Sequence, residues 1–312
     1  MKSDISTLSP EFQKLSSPII IIGMHRSGTS MLAGILHILG VYVDPGFPNI
    51  QGNYLLERPS DQIRQNGYGE ATCFRLLNEE IMAQAGADWF YIEPFLRQRD
   101  EATFKQKSLN KMRRATHTKL KREFLDQMPT NFQGQWGWKD PRNSLTLPYW
   151  LELFPNAKIL HVRRSYENIV ESLIRRSKAV TKEANTTPKS SSIERLQNLY
   201  RNPQDIPLAI GNRLGLLKTP KTSPNQLLQV EDCFALAEEY ENACLRYRSS
   251  TNIYTEVWYE NMIANPENQI LKVIDTFDLT PSEIQLQYAK QFVSRALPNQ
   301  DSKIETRDLV CF

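Results

Sequence analysis

The apolar and polar positions near the start of the chain follow the order of a strand, a loop and a helix. Residues 18–22 form an uninterrupted apolar run that predicts a strand, and residues 31–39 carry apolar side chains at helical spacing. Gly40 comes next and suits the C-terminal end of a helix. Residues 23–30 lie between these elements, so the sequence predicts a strand–loop–helix unit.

The loop at residues 23–30 has the composition of a phosphate-binding loop. Its glycine spacing, G-x-x-x-x-G, matches a Walker A loop, and backbone N–H groups at a helix N-terminus can face an anion. Thr29 stands where such a loop carries lysine, and the cation is instead Arg26, inside the loop. An ATP-hydrolysing loop needs that lysine on the β- and γ-phosphates, so we expect a different phosphate-bearing donor.

A second unit of the same kind follows in the middle of the chain. Residues 158–162 predict a short strand, the polar residues Arg163, Arg164 and Ser165 follow it, and residues 166–176 predict a helix with Ser165 as its N-cap. Parallel strands joined by helices have their carboxyl ends at one edge of a sheet. We therefore expect this turn and the glycine loop to lie at the same edge.

The rest of the chain fits the same architecture. Residues 1–17 are expected to form a flexible tail, and residues 18–312 a single domain with a loop-rich, partly mobile insertion at about 177–230. The predicted fold is α/β, a P-loop-like three-layer fold in which helices flank a central parallel sheet. Further helices are predicted at residues 60–64, 72–85, 100–128, 145–153, 230–247 and 266–277, and a further strand at residues 253–259.

Composition excludes several classes of protein. A 312-residue chain with 40% apolar and 23% charged residues can bury a sizeable core, and its net charge of +3 is too small to imply nucleic acid. The four cysteines show no pairing typical of a zinc site or a disulfide framework. The polar N-terminus lacks a signal-peptide pattern, and the longest apolar stretch, 35–43, is too short to cross a bilayer. We expect a cytoplasmic protein without a membrane span.

Taken together, these residues resemble the family of sulfotransferases that use 3′-phosphoadenosine 5′-phosphosulfate (PAPS). Residues 23–30 resemble the family's loop around the 5′-phosphosulfate, and Arg164 with Ser172 resembles its 3′-phosphate pair. Residues 138–141 resemble a segment of tyrosylprotein sulfotransferases and their bacterial relatives, and residues 257–266 resemble the late "YEDL…P" stretch. The resemblance covers most of the chain in order.

The resemblance implies a division of roles among the site residues. Arg26 is expected to stabilise the bridging oxygen of the leaving phosphate, and Lys139 to reach the sulfuryl oxygens. PAPS is the expected co-substrate, 3′-phosphoadenosine 5′-phosphate (PAP) the product, and no metal ion is expected to be obligatory. The residues expected to bind the nucleotide are Gly23, His25, Arg26, Ser27, Gly28, Thr29, Ser30, Arg164 and Ser172.

An acceptor hydroxyl needs a base to take its proton. Glu57, in the segment after the first helix, is the expected general base, with Asp44 and His25 as rivals. Glu57 could equally form a surface ion pair with Arg58.

Residues 105–122 carry eight basic side chains and no acid before Glu123. Such a run is either a solvated helix face or a docking surface for an anionic acceptor such as a glycan. The tryptophans Trp89, Trp136 and Trp138 could stack on an adenine or a sugar, or belong to the core.

The sequence thus predicts a sulfotransferase that moves a sulfuryl group from PAPS to a hydroxyl or amine of a glycan, lipid or small molecule. Two alternatives stay open: a small-molecule or nucleotide kinase, and a catalytically silent nucleotide-binding protein. The kinase is disfavoured because Thr29 replaces the lysine and no Walker B segment is evident. Neither the acceptor nor the oligomeric state can be derived from the residues.

Overall fold

The computed structural model describes residues 7–47, 69–186 and 228–296. Within these residues, the central sheet has four strands in the order β2-β1-β3-β4. Every neighbouring pair of strands is parallel. The strands are β1 (Ile19–Ile22), β2 (Gly137–Lys139), β3 (Lys158–Arg163) and β4 (Tyr254–Trp258).

Helices precede, connect and follow these strands. In chain order they are α1 (Pro10–Gln13), α2 (Thr29–Ile38), α3 (Thr72–Gln84), α4 (Glu93–Gln98), α5 (Ala102–His117), α6 (Lys119–Glu123), α7 (Asn143–Leu153), α8 (Tyr166–Thr186), α9 (Val230–Leu245), α10 (Tyr259–Ala264), α11 (Pro266–Phe277) and α12 (Glu283–Ala296). None of the helices in the described part of the chain combines the length and apolar character needed to cross a membrane.

Alternate residues of the strands enter two separate cores, one on each face of the sheet. Ile20, Ile22 and Ile159 pack in one core with α3, α7 and α9, and this core also contains Trp136 and Trp138. Side chains from the opposite face of the same strands pack with α2, α11 and α12 in the second core. Both faces are therefore covered, as parallel sheets require, and the predicted three-layer α/β fold is confirmed.

The strand register brings the predicted site to one edge. Ile21 of β1 lies opposite Lys139 at the end of β2, and Ile22 lies opposite His161 of β3. The loop after β1, the end of β2 and the turn after β3 therefore leave the sheet at the same edge, as the sequence predicted.

Several elements differ from the sequence prediction. The tail is ordered in part, because residues 10–13 form α1 and Phe12 packs against Trp136 with ring centroids 5.6 Å apart. Helix α8 continues to Thr186, into the segment expected to be loop-rich. The helix expected at 100–128 breaks at Thr118, whose φ of −128° and ψ of −92° are not helical. The helix expected at 60–64 and most of the insertion lie outside the described residues.

Candidate functional site

The two glycines of the loop after β1 occupy positions that a side chain could not. Gly23 has a φ of +140°, and a Cβ there would lie 2.4 Å from the carbonyl oxygen of Val162. Gly28 has a φ of +97°, is the N-cap of α2, and a Cβ there would lie 2.4 Å from Cδ2 of Tyr259. Since neither position tolerates a Cβ, the glycine spacing reflects the path of the backbone and the close approach of Val162 and Tyr259 to it.

Arg26 joins the glycine loop to the turn after β3. Its φ of +72° is unusual for a residue with a Cβ, so the surrounding contacts must hold the loop in this conformation. The Nε atom of Arg26 donates to Oγ of Ser172 at 2.9 Å, and its carbonyl oxygen accepts from a guanidinium nitrogen of Arg164 at 2.9 Å. The structure therefore brings Arg26 together with Arg164 and Ser172, two predicted site residues that lie more than a hundred positions later in the sequence.

The guanidinium of Arg164 packs on the face of an aromatic ring. Its guanidinium lies 4.4 Å from the ring centroid of Tyr259, the same ring that packs against Gly28. This cation–π contact orients the arginine without neutralising its charge.

The turn that follows Arg164 is fixed by a carboxylate from α10. The Oε1 atom of Glu260 accepts from the backbone N–H of Ser165 at 3.1 Å and from the side chain of Asn168 at 3.0 Å. Burial alone would raise the pKa of Glu260, but these hydrogen bonds outweigh it and lower the pKa. An ionised carboxylate thus lies at the positive end of the helix that carries Ser172.

Arg163, next to Arg164, forms its contacts within the protein. Its guanidinium forms ion pairs with Glu241 of α9 and with Glu256 of β4, and it lies 4.3 Å from the ring centroid of Trp258. Arg163 therefore does not lie in a solvated turn. The residue anchors the carboxyl end of β3, from which Arg164 emerges.

A buried histidine continues this network. Nε2 of His161 lies 3.3 Å from a carboxylate oxygen of Glu241, and Nδ1 lies 2.9 Å from the hydroxyl of Tyr254. Burial alone would lower the pKa of His161, but the neighbouring Cys244 and Glu241 outweigh it and raise the pKa to about 9. The imidazolium is therefore the form at neutral pH.

Lys139 lies at the carboxyl end of β2 and is only 1% exposed, so it is not a surface lysine. Its Nζ donates to Oε1 of Glu70 at 2.8 Å and to Oγ of Ser30, at the start of α2, at 3.2 Å. Burial alone would raise the pKa of Glu70, but Lys139 and Arg142 outweigh it and lower the pKa. A lysine and a carboxylate are thus poised beside the N-terminus of α2.

A polar network behind Lys139 fixes this part of the chain. The fully buried Asp140 accepts from Asn78 at 2.8 Å and from the guanidinium of Arg142 at 2.9 Å, and Arg142 also pairs with Glu79 at 2.8 Å. Burial raises the pKa of Asp140 even though Arg142 opposes the shift. The segment between β2 and α7 is therefore rigidly tied to α3.

His25 lies in an aromatic environment rather than among ion pairs. Its ring centroid is 4.7 Å from Trp89 and 6.0 Å from Tyr240. Burial, together with the positive charges of Arg142 and Lys139, holds the pKa of His25 well below its usual value, so the imidazole is neutral at pH 7. His25 can accept or donate one hydrogen bond but adds no charge to the site.

Two candidates for the general base, Glu57 and Asp44, differ in whether the structure describes them. Glu57 lies outside the described residues, so its role stays a prediction. Burial raises the pKa of Asp44, and one of its carboxylate oxygens accepts from the backbone N–H of Gly46. Sequence reasoning missed Glu70, whose only signal is its position two residues before a predicted helix. Its contact with Lys139 is visible only in the fold.

The remaining predicted residues lie where the loop prediction put them. Ser27 and Thr29 are buried in the loop and at the start of α2. Trp136 and Trp138 are fully buried in the core, which confirms the core interpretation for those two residues. With Arg26, Lys139 and Arg164 at one edge of the sheet and a helix N-terminus between them, the arrangement can bind a ligand that carries more than one anionic group.

The chain is similar to a known protein family. A model of the sulfotransferase family matches residues 18–209, which include the glycine loop, Lys139, Arg164 and Ser172. No curated protein sequence matches the chain significantly.

Several solved structures match the chain at low sequence identity. A sulfotransferase domain from the curacin biosynthetic pathway is 14% identical, with a TM-score of 0.43 over 88% of this chain and 78% of that one. Sulfotransferase STF9 from Mycobacterium avium is 14% identical, with a TM-score of 0.43 over 90% of this chain and 68% of that one. A retinol dehydratase in complex with androsterone and inactive cofactor PAP is 12% identical, with a TM-score of 0.34 over 88% of this chain and 64% of that one. The assignment rests on the family model, which covers more than half of the sequence: the chain belongs to the sulfotransferase family.

Proposed function

We propose that this protein transfers a sulfuryl group from PAPS to a hydroxyl of an acceptor. The observation that supports PAPS most directly is the contact set of Arg26, whose side chain bonds Ser172 and whose carbonyl oxygen bonds Arg164. The loop proposed for the 5′-phosphosulfate and the pair proposed for the 3′-phosphate therefore line one continuous site. A donor with phosphates at both positions would occupy both parts of that site, whereas a linear triphosphate would leave one part unused.

The nucleotide would be held at two places. The backbone N–H groups of the glycine loop, with Thr29 and Ser30 at the start of α2, would hold the 5′-phosphate. Arg164 and Ser172 would hold the 3′-phosphate, with Tyr259 keeping the arginine aimed. His25, neutral and packed on Trp89, would form the wall of the site rather than bind a phosphate.

Arg26 and Lys139 would act on the charge that develops during transfer. The acceptor oxygen forms a bond to sulfur while the bond from sulfur to the bridging oxygen breaks, and negative charge accumulates on the leaving phosphate. Arg26 would stabilise that bridging oxygen, and Lys139 would contact the sulfuryl oxygens. Preorganised cations of this kind supply most of the acceleration in the related phosphoryl transfers.

The acceptor proton would go to a carboxylate. Glu70 is the described carboxylate in contact with Lys139, so we add it to Glu57 as a candidate base. With its pKa lowered by Lys139 and Arg142, Glu70 is ionised at neutral pH and able to accept a proton. Movement of Lys139 onto the sulfuryl group would release the carboxylate toward the acceptor.

The donor can be tested by thermal stabilisation with PAP, ATP and AMP. We expect PAP to raise the melting temperature well above either comparison, because only PAP carries the 3′-phosphate. Stabilisation by ATP and not by PAP would favour a kinase and overturn the proposal. PAP binding without sulfate transfer from PAPS to any of a broad panel of acceptors would favour a silent nucleotide-binding protein.

A further inference from the structure

A basic groove lies on the outer face of α5, away from the glycine loop. Among the described residues, eight line it and none of these is acidic: Gln84, Ala102, Thr103, Gln106, Lys107, Asn110, Lys111 and Arg114. Lys107, Lys111 and Arg114 lie at i, i+4 and i+7, so their side chains follow one another along the same helix face. The groove is therefore a linear positive surface rather than a point site.

The cations of residues 105–122 differ in how far they are neutralised. Lys105 pairs with Glu152 and Lys121 with Asp126, whereas no ion pair joins Lys107 or Arg114 to any other described residue. Lys107 and Arg114 are both exposed. Two unpaired cations of the run, Lys107 and Arg114, thus line the groove, where their field can attract an anion.

The position of the groove relative to the candidate site favours a long occupant. Glu70 precedes α3 by two residues, and Gln84 is the last residue of that helix. With a rise of 1.5 Å per residue, the two ends of α3 are about 20 Å apart. A small acceptor bound beside Lys139 cannot reach the groove, whereas a polymer can occupy both.

Both acids of α3 are already paired. Glu80 of α3 binds Lys111 at 2.9 Å, and Glu79 binds Arg142 at 2.8 Å. A negatively charged polymer that runs along α3 would therefore not meet unpaired carboxylates at these positions.

The neutral residues of the groove indicate the class of polymer. Amide and hydroxyl side chains can exchange hydrogen bonds with sugar hydroxyls. None of the eight described lining residues is aromatic, so none of them could stack on a nucleic-acid base. We propose that this groove docks an acidic polysaccharide whose hydroxyl is sulfated at the candidate site. The proposal rests on the proposed function and adds the class of acceptor to it.

The test compares two variants that remove the same charge. Lys107→Gln with Arg114→Gln removes the two unpaired groove cations, and Lys14→Gln with Arg246→Gln removes two exposed cations elsewhere. Binding is measured by fluorescence anisotropy with labelled hyaluronan oligosaccharides, with neutral dextran as the control. We expect the groove variant to bind hyaluronan about three- to tenfold more weakly than wild type, with a shallower salt dependence, and the control variant to match wild type.

Turnover separates docking from catalysis. With a polysaccharide acceptor, the groove variant should raise KM by a similar factor and leave kcat and the rate with a small acceptor unchanged. Hyaluronan binding without sulfate transfer would count against the proposed function and leave the docking proposal standing. Equal losses in the two double variants, equal binding of dextran, or stronger binding of single-stranded DNA or an acidic peptide would overturn the docking proposal.

Discussion

The ion pair between Lys139 and Glu70 is buried, so removing one partner should cost far more than an ordinary surface substitution. The side chains are 1% and 11% exposed, and Nζ lies 2.8 Å from the carboxylate oxygen. Lys139→Met leaves an ionised carboxylate without its cation, which costs about 3–5 kcal/mol in buried pairs. Glu70→Gln keeps an oxygen that can accept from Nζ, so we expect a smaller loss of about 1–3 kcal/mol.

The double variant separates pair energy from packing. Lys139→Met with Glu70→Gln removes both charges, so the stability lost by the double variant should be smaller than the sum of the two single losses by at least about 1 kcal/mol. Stability is measured by urea unfolding at pH 7, with equal m-values required across the set. Because the pKa of Glu70 is lowered in the folded protein, the coupling should be present at neutral pH and disappear as the pH falls through that pKa.

A matched control is available on α4. Arg97 and Glu93, which are four residues apart on this helix, also form an ion pair, but their side chains are 74% and 61% exposed. A double-mutant cycle on Arg97 and Glu93 should give a coupling energy of about 0.3–0.5 kcal/mol. If the Lys139–Glu70 losses are simply additive, or no larger than those of this surface pair, the reasoning from burial is refuted.

Three further predictions follow from individual contacts. Arg164→Ala should weaken the binding of PAP by about 10- to 100-fold. The binding of adenosine 5′-phosphosulfate, which lacks the 3′-phosphate, should weaken much less. Equal losses of affinity for the two nucleotides in calorimetric titrations would mean that the arginine has only a structural role. The pKa of His161 is about 9 in the folded protein, so the protonated side chain stabilises the fold fully below pH 6.5. The free energy of unfolding should fall by on the order of 3 kcal/mol as the pH rises through 9. A His161→Asn variant whose stability in urea unfolding has the same pH dependence as wild type would contradict this. Gly28→Ala should lower stability by more than about 1 kcal/mol and weaken PAP binding, because φ is +97° and the new methyl group meets Tyr259; unchanged binding would show that the loop can relax.

The glycine loop and the turn after β3 were predictable because their signals are local. Each combines an apolar run, a polar turn and a helical repeat, and the parallel crossover rule then places both turns at one edge. The sequence could not show that Arg26 and Ser172 touch, because that contact joins residues 146 positions apart. It could give only the expectation that both lie near the nucleotide.

The missed features have weaker local signals. Strand β2 is three residues long and reduces to Gly137, Trp138 and Lys139, which is too short for any periodicity. Glu70 lies beside a predicted helix like many surface acids, and only tertiary packing places it on Lys139. Arg163 and Arg164 are adjacent and identical in type; the family resemblance singled out Arg164, but only the fold shows that Arg163 pairs with Glu241.

Arg26 is proposed to stabilise the leaving group during sulfuryl transfer from PAPS. The most direct measurement compares the transfer of radiolabelled sulfate from PAPS by wild type, Arg26→Ala and Arg26→Lys, with PAP affinity measured on the same preparations. Alanine keeps a Cβ at a φ of +72°, so the backbone requirement of the loop is unchanged. We predict that Arg26→Ala loses turnover while PAP affinity stays within about tenfold, and that lysine recovers part of the rate. Retained turnover in Arg26→Ala, or an equal loss of turnover and PAP binding, would contradict the claim.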